Sequence, residues 1–160
     1  MLVFFYQINH RLLNKYSGSA LDGHFVEKGK AAGKIITPLE TITEQMDLLF
    51  NQKTDEEQAY DLIQFMRNKK VNIRIGNDLL KSYFDNDLNA IQSLYKESLK
   101  ISGDNDYLVK PRNAKWMKVL PALLIERSQF IAVGALHLSG PDGLVEQLKK
   151  QGYTITALKL

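Results

Sequence analysis

Gln129–His137, QFIAVGALH, is a short, almost unbroken apolar run that leads at once into LSGPDGLVEQLKKQGYTITAL. Such a run reads as a buried strand carrying a glycine and a histidine to its end, followed by a helix and a second strand. The carboxyl edge of a strand in an α/β sheet is where side chains leave the packed faces while the backbone stays rigid, so His137 is expected where ligands are held. Gly134 lacks a Cβ and suits a place where a neighbouring backbone or a ligand comes close. Together the two residues form a G-x-x-H element.

The rest of the chain is read around that unit. With 160 residues the expectation is a single domain, 1–160, long enough to bury a real core. Its 44% apolar and 24% charged content is ordinary for a globular protein. A net charge of +3, spread thinly along the chain, provides no phosphate-tracking stripe, so no nucleic-acid partner is expected. There is no cysteine, which removes disulfides and thiolate chemistry and leaves the redox compartment open. Met1–Tyr6, MLVFFY, is too short for a membrane span and lacks the basic n-region of a signal peptide. So apolar a start reads as the interior of something larger.

Helices dominate the expectation for the middle of the chain. Met1–Lys15 is one, Ser17–Ser19 a break, and Ala20–Ala32 a second, with Lys34–Leu39 as a strand before the helical middle. Thr41-x-x-Glu44 and Thr54-x-x-Glu57 are capping boxes. The helix after Thr54 carries Ala59, Leu62, Ile63 and Met66 on one face. Ile75–Phe84 and Leu88–Leu99 form another helical pair, and Ser102–Asp106 a loop. Pro111 opens a helix that runs toward Arg127 and bends at Pro121, while Gly152 closes the last helix. The resulting expectation is an α/β (α+β) fold, a helix-rich domain packed on a small, incomplete β-sheet, with a C-terminal strand-helix-strand unit.

Several residues have two readings on spacing alone. His137 is either a strand-end histidine bonded to backbone or a ligand. Glu40 either complements a helix dipole or does metal or acid-base work. Arg112 and Asn113 are either a solvated helix start or part of a site, an arginine there opposing the dipole. Trp116, at helical spacing from Leu120 and Leu123, reads as core. Asp85-x-Asp87-x-Asn89 imitates a calcium loop, yet Ala90 and Lys96 stand where that loop needs Gly and Glu, so calcium is rejected. Asp104 and Asp106 read as loop solvation, and His10 and His24 as surface residues on helices.

GALHLSGPDGLVEQLKKQGYTITAL, the preceding Arg112-Asn113-x-x-Trp116, and LDGHFVEKGKAAGKIITPLETITEQ upstream together resemble the carboxyl-terminal half of the TraB/PrgY/GumN family, which includes the TIKI-type metalloproteases. Matched position by position, Gly134 and His137 are that family's second G-x-x-H. Glu40 is its Leu-Glu-Thr glutamate, Gln45 the downstream glutamine, and Arg112 and Asn113 its Arg-Asn pair. The first G-x-x-H has no counterpart, since Gln7 precedes His10 and Leu21 precedes His24 at the glycine position, and Ala20 stands where relatives usually have Gly. The expected missing part is on the order of a hundred residues.

The resemblance implies a metal-dependent, peptidase-like hydrolase. His137 and Glu40 would be ligands of a divalent metal (Mn, Co or Zn), Arg112 would suit a substrate carboxylate or an oxyanion, and Asn113 would orient a ligand or the substrate. Lacking the first histidine, the chain is expected to be inactive alone; the alternative is a peptide-binding or regulatory module of the pheromone-shutdown type. A completing N-terminal segment is the expected partner, or a second copy pairing along an open sheet edge. A secreted or periplasmic location enters only through the resemblance.

Overall fold

The computed structural model describes residues 21–102 and 106–158. The expected helix at Met1–Lys15, the break at Ser17–Ser19, and His10 and Asp104 lie outside the described residues. The chain divides after Asp47 into two units.

In the first unit, α1 (Leu21–Ala31) occupies the expected position and carries His24 beside Phe25. The following residues 34–38 form no regular element. The capping box at Thr41 is realised: Thr41 N donates to Glu44 Oε2 at 2.8 Å and Glu44 N to Thr41 Oγ1 at 3.2 Å, opening α2 (Ile42–Phe50).

The second unit is built of α3 (Asp55–Arg67), α4 (Lys69–Phe84), α5 (Leu88–Ser102), α6 (Lys110–Trp116), α7 (Leu120–Glu126), α8 (Ala135–Leu138) and α9 (Leu144–Lys150), with a 3-10 turn at Asp106–Leu108. Thr54 caps α3 by the expected reciprocal pair, Thr54 N to Glu57 Oε2 at 2.8 Å and Glu57 N to Thr54 Oγ1 at 3.3 Å. α4 starts six residues before the periodic stretch beginning at Ile75, because Asn68 and Asn72 punctuate the chain without stopping it. The Asn68 side chain donates to Gln64 O at 2.9 Å, and the buried Asn72 side chain donates to Phe65 O at 3.1 Å. Asp87, part of the rejected calcium pattern, caps α5: its Oδ1 accepts from the backbone of Asn89 at 3.0 Å and Ala90 at 2.9 Å. Gly152 sits at φ 89°, with Gly152 N donating to Lys149 O and Tyr153 N to Leu148 O, the two bonds of a Schellman stop.

α3 packs against α4 and α5, α4 runs along α5, and α8 rests on α5 and α9. Phe65, Ile75, Ile91, Trp116, Met117, Leu120 and Leu144 are the buried apolar side chains. Full burial of an aliphatic side chain such as Ile75 or Leu120 is worth about 1.5–3 kcal/mol. Beside the α3 cap, Lys53 pairs with Asp61 at 2.5 Å and lies 6.0 Å from the Tyr107 ring centroid. Burial pushes the Tyr107 phenol above its ordinary range, with Lys53 opposing the shift and Asp61 adding to it.

Two expectations are corrected. The described residues contain no strand, so the fold is helical rather than an α/β arrangement on a sheet. Residues 34–38, 128–134 and 153–158 have strand-like composition but form no ladder among the described residues. A strand is defined by hydrogen bonds to a neighbour, and an apolar run supplies only half of that pair. Phe130, expected inside, is accordingly 74% exposed. Proline 121 also does not bend one helix. It stands in the first turn of α7, where its missing N–H is not needed, and the chain forms two short helices instead. No helix among the described residues is long and apolar enough to cross a membrane.

Candidate functional site

The second unit folds back so that α6 meets α8 and the turn after it. His137 lies in α8, a single helical turn entered from extended backbone at Gly134, where φ is −60° and ψ 141°. The expected strand end is therefore a helical turn, and His137 is held by side-chain bonds instead of by a sheet. Asn113, in the middle of α6, is fully buried. Its Nδ2 donates to His137 O at 3.0 Å and to Asp142 O at 2.9 Å, while its Oδ1 lies 2.7 Å from His137 Nδ1. Two carbonyl acceptors fix which end of the amide is which, so Oδ1 must accept, and the His137 proton is assigned to Nδ1. The lone pair then belongs to Nε2. A neutral amide sets this tautomer without adding a charge beside the ring, and a histidine whose Nδ1–H is so engaged is oriented to ligate through Nε2.

The turn between α8 and α9 completes the clamp. A Cβ at Gly143 would run into the backbone carbonyls of Leu138 and Ser139, so only glycine lets this loop close. The loop thereby brings Asp142 O to Asn113, and Ser139 Oγ to 3.0 Å from both Leu136 O and Gln92 Oε1 of α5. Gly134 behaves differently from the expectation. Its backbone is open to any residue, and a Cβ there would meet only His137 Cδ2, at 3.7 Å, an ordinary contact. Cδ2 adjoins Nε2, so a side chain at this position would lie along the Nε2 edge of the imidazole.

Trp116 is buried, as expected of core, but it is also a wall of the site. Its ring centroid stands 4.5 Å from that of His137 at 43°, and the Arg112 guanidinium carbon stands 5.0 Å from the indole centroid. Arg112 Nη1 also donates to Leu108 O at 3.1 Å. Arg112 and Trp116 are four residues apart on one helix, so the Arg-Asn-x-x-Trp spacing carried this stack all along: i and i+4 share a face. The carbonyl of Asp142 left no comparable trace, because a backbone acceptor has no residue signature.

Of the four residues expected to form the site, His137 and Asn113 are in direct contact and Arg112 joins them through Trp116. Glu40 belongs to the first unit, where Gln45 Nε2 lies 3.5 Å from its Oε1, just ahead of the Thr41 cap. That places the Leu-Glu-Thr glutamate and the downstream glutamine side by side. Toward a divalent metal, His137 fits as one ligand by its tautomer; among the described residues no three His, Cys, Asp or Glu side chains gather into a metal group.

These features define a helical unit that holds one histidine, bonded to a buried asparagine and in ring contact with a tryptophan that carries an arginine. The family model for the TraB/PrgY/gumN family matches residues 2–157, nearly the whole chain. The protein belongs to the TraB/PrgY/gumN family. No curated protein and no solved structure matches the chain.

Proposed function

We propose that this chain carries the histidine-bearing part of a metal-dependent, peptidase-like hydrolytic site, with His137 Nε2 as one metal-ligating atom. The observation that supports this reading is the Asn113 clamp, which leaves the Nε2 lone pair as the ligating one. Glu40, the other ligand that the resemblance implies, lies in the first unit with Gln45 beside it. A divalent ion held by His137, Mn, Co or Zn, would supply an acidified water and polarise a carbonyl. Asn113 keeps the imidazole in one tautomer and one orientation. Arg112 offers a planar fork suited to a carboxylate or to developing negative charge on oxygen.

The second reading is a module that holds a peptide without cleaving it. The Arg112–Trp116 stack favours it, since a guanidinium set over an indole binds carboxylates without any metal.

The test is metal affinity of the full chain for Mn, Co and Zn by calorimetry, beside His137→Ala and Gly134→Ala. Binding lost in His137→Ala is expected. Gly134→Ala should weaken binding by crowding the Nε2 edge, yet raise stability by about 0.4–1 kcal/mol, because alanine fits the backbone there and narrows the unfolded ensemble. Metal binding indifferent to both substitutions would sink the metal reading and leave the binding module.

A further inference from the structure

The Trp116 indole has a donor that the fold does not use. Trp116 is 3% exposed, and its Nε1 is buried without a hydrogen-bond partner among the described residues. Buried indole N–H groups usually find an acceptor, because leaving one unmade forfeits a hydrogen bond that water would have provided. Everything else at this junction is carefully paired. Asn113 makes three bonds, Ser139 Oγ has acceptors on two sides, and Arg112 donates to Leu108 O. The exception lies against His137, the residue on which the proposed chemistry depends.

We propose that Trp116 is a ligand-contacting residue of the His137 site, its Nε1–H donating to an sp2 oxygen of a peptide-like ligand. The chemistry of the neighbours selects an oxygen acceptor. Indole nitrogen only donates, and the guanidinium of Arg112 over the same ring has five donors and no acceptor. A ligand group facing both must therefore accept, which a backbone carbonyl or a terminal carboxylate does and an amine does not. The indole and the imidazole are in ring contact, their centroids 4.5 Å apart, so a ligand of His137 and the indole donor belong to one junction. This deepens the proposed function only in the ligand class, and it stands whether or not a metal is held.

The chain contains a single tryptophan, so a uniformly 15N-labelled full chain gives one indole N–H resonance, read here without any metal. The probes are trialanine and trialanine amide, which share their backbone carbonyls and differ in the terminal carboxylate. A saturable downfield shift of the indole proton with both probes assigns a backbone carbonyl to Nε1; a shift with trialanine alone assigns the carboxylate. Trp116→Phe keeps an aromatic wall and removes the donor. It should weaken the effective probe about three- to tenfold, followed at the His137 imidazole resonances. An indole resonance unmoved by either probe overturns the proposal, and so does probe binding that Trp116→Phe leaves unchanged. Failure of metal binding at His137 with a responsive indole would instead fault only the metal reading.

Discussion

Within the second unit, two regions use their residues in opposite ways. At the junction of α6 and α8 a polar side chain, Asn113, is fully buried among paired groups, whereas on α3 the apolar side chains Leu62, Ile63 and Met66 are 46%, 50% and 57% exposed. Hydrophobic burial would be better served by the reverse arrangement, since a buried amide must recover every hydrogen bond it gave up in water while an exposed apolar chain recovers nothing. The clamp does recover them, and what it gains is orientation of His137 in a single tautomer. The α3 face positions nothing among the described residues, and its helix is held by its cap and by Phe65 on the other side. Precision is concentrated where the proposed chemistry lies.

The sharpest way to break this contrast is to invert the polarity of the clamp. Asn113→Leu retains similar volume but removes the Asn113 partner of His137 Nδ1 and His137 O, while Asp142 O keeps its bond from Gln147 Nε2 at 2.7 Å. A loss of about 3–5 kcal/mol is expected from urea unfolding followed by circular dichroism, the two buried His137 groups each costing about 1–3 kcal/mol. Asn113→Asp separates the terms, because a carboxylate still accepts from Nδ1–H but cannot donate to the two carbonyls. Its loss should be at least as large, because the second carboxylate oxygen is buried facing the His137 and Asp142 carbonyl oxygens, acceptor against acceptor. A loss under 1 kcal/mol in both variants would show the clamp to be ornamental and remove the physical basis for the His137 tautomer.

How far the sequence reached differs between the same two regions, and for physical reasons. Caps are local: Thr41, Thr54 and Gly152 sit within three residues of the groups they satisfy, so their chemistry is visible in the chain. The α3 periodicity was also visible, but its meaning was not, since Leu62, Ile63 and Met66 fall on one face whether or not anything covers that face. Strand assignment failed at 34–39 and 129–137 because pairing depends on a distant segment that no local window contains. His137, Asn113 and Arg112 were reached through the family resemblance, spacing alone leaving each with two readings, and Trp116 was read only as core. The Asn113 bonds span 24 and 29 residues, and the unused indole donor could be found only once its surroundings were known.

If α3 is secured by local chemistry, its cap should matter more than its apolar face. Thr54→Ala removes the hydroxyl that accepts from Glu57 N and half of the reciprocal box. About 1 kcal/mol of stability should be lost, within the 0.5–2 kcal/mol typical of such caps, and Thr54→Gly should cost somewhat less than alanine if the loss is the cap itself. The midpoint of urea unfolding measures both. A loss as large as that of Asn113→Leu would mean that α3 is as tightly integrated as the clamp, and the contrast would collapse.

The smallest effect is expected on the α3 face, and it completes the inversion begun at Asn113. Met66→Gln exchanges an apolar side chain for a polar one of similar length. Both residues are good helix formers and more than half of Met66 already meets solvent, so stability should change by less than about 0.5 kcal/mol. Leu62→Gln removes more apolar surface from a less exposed position and should cost slightly more. Thermal unfolding of the two variants beside the parent at several protein concentrations separates intrinsic stability from association. A loss well above 1 kcal/mol that grows as concentration rises would show that a second copy covers this face in solution. A concentration-independent loss of that size would mean that the face is packed within the chain. An unchanged melting temperature would leave burial governed by the polar clamp, with the α3 stripe contributing little to the stability of the fold.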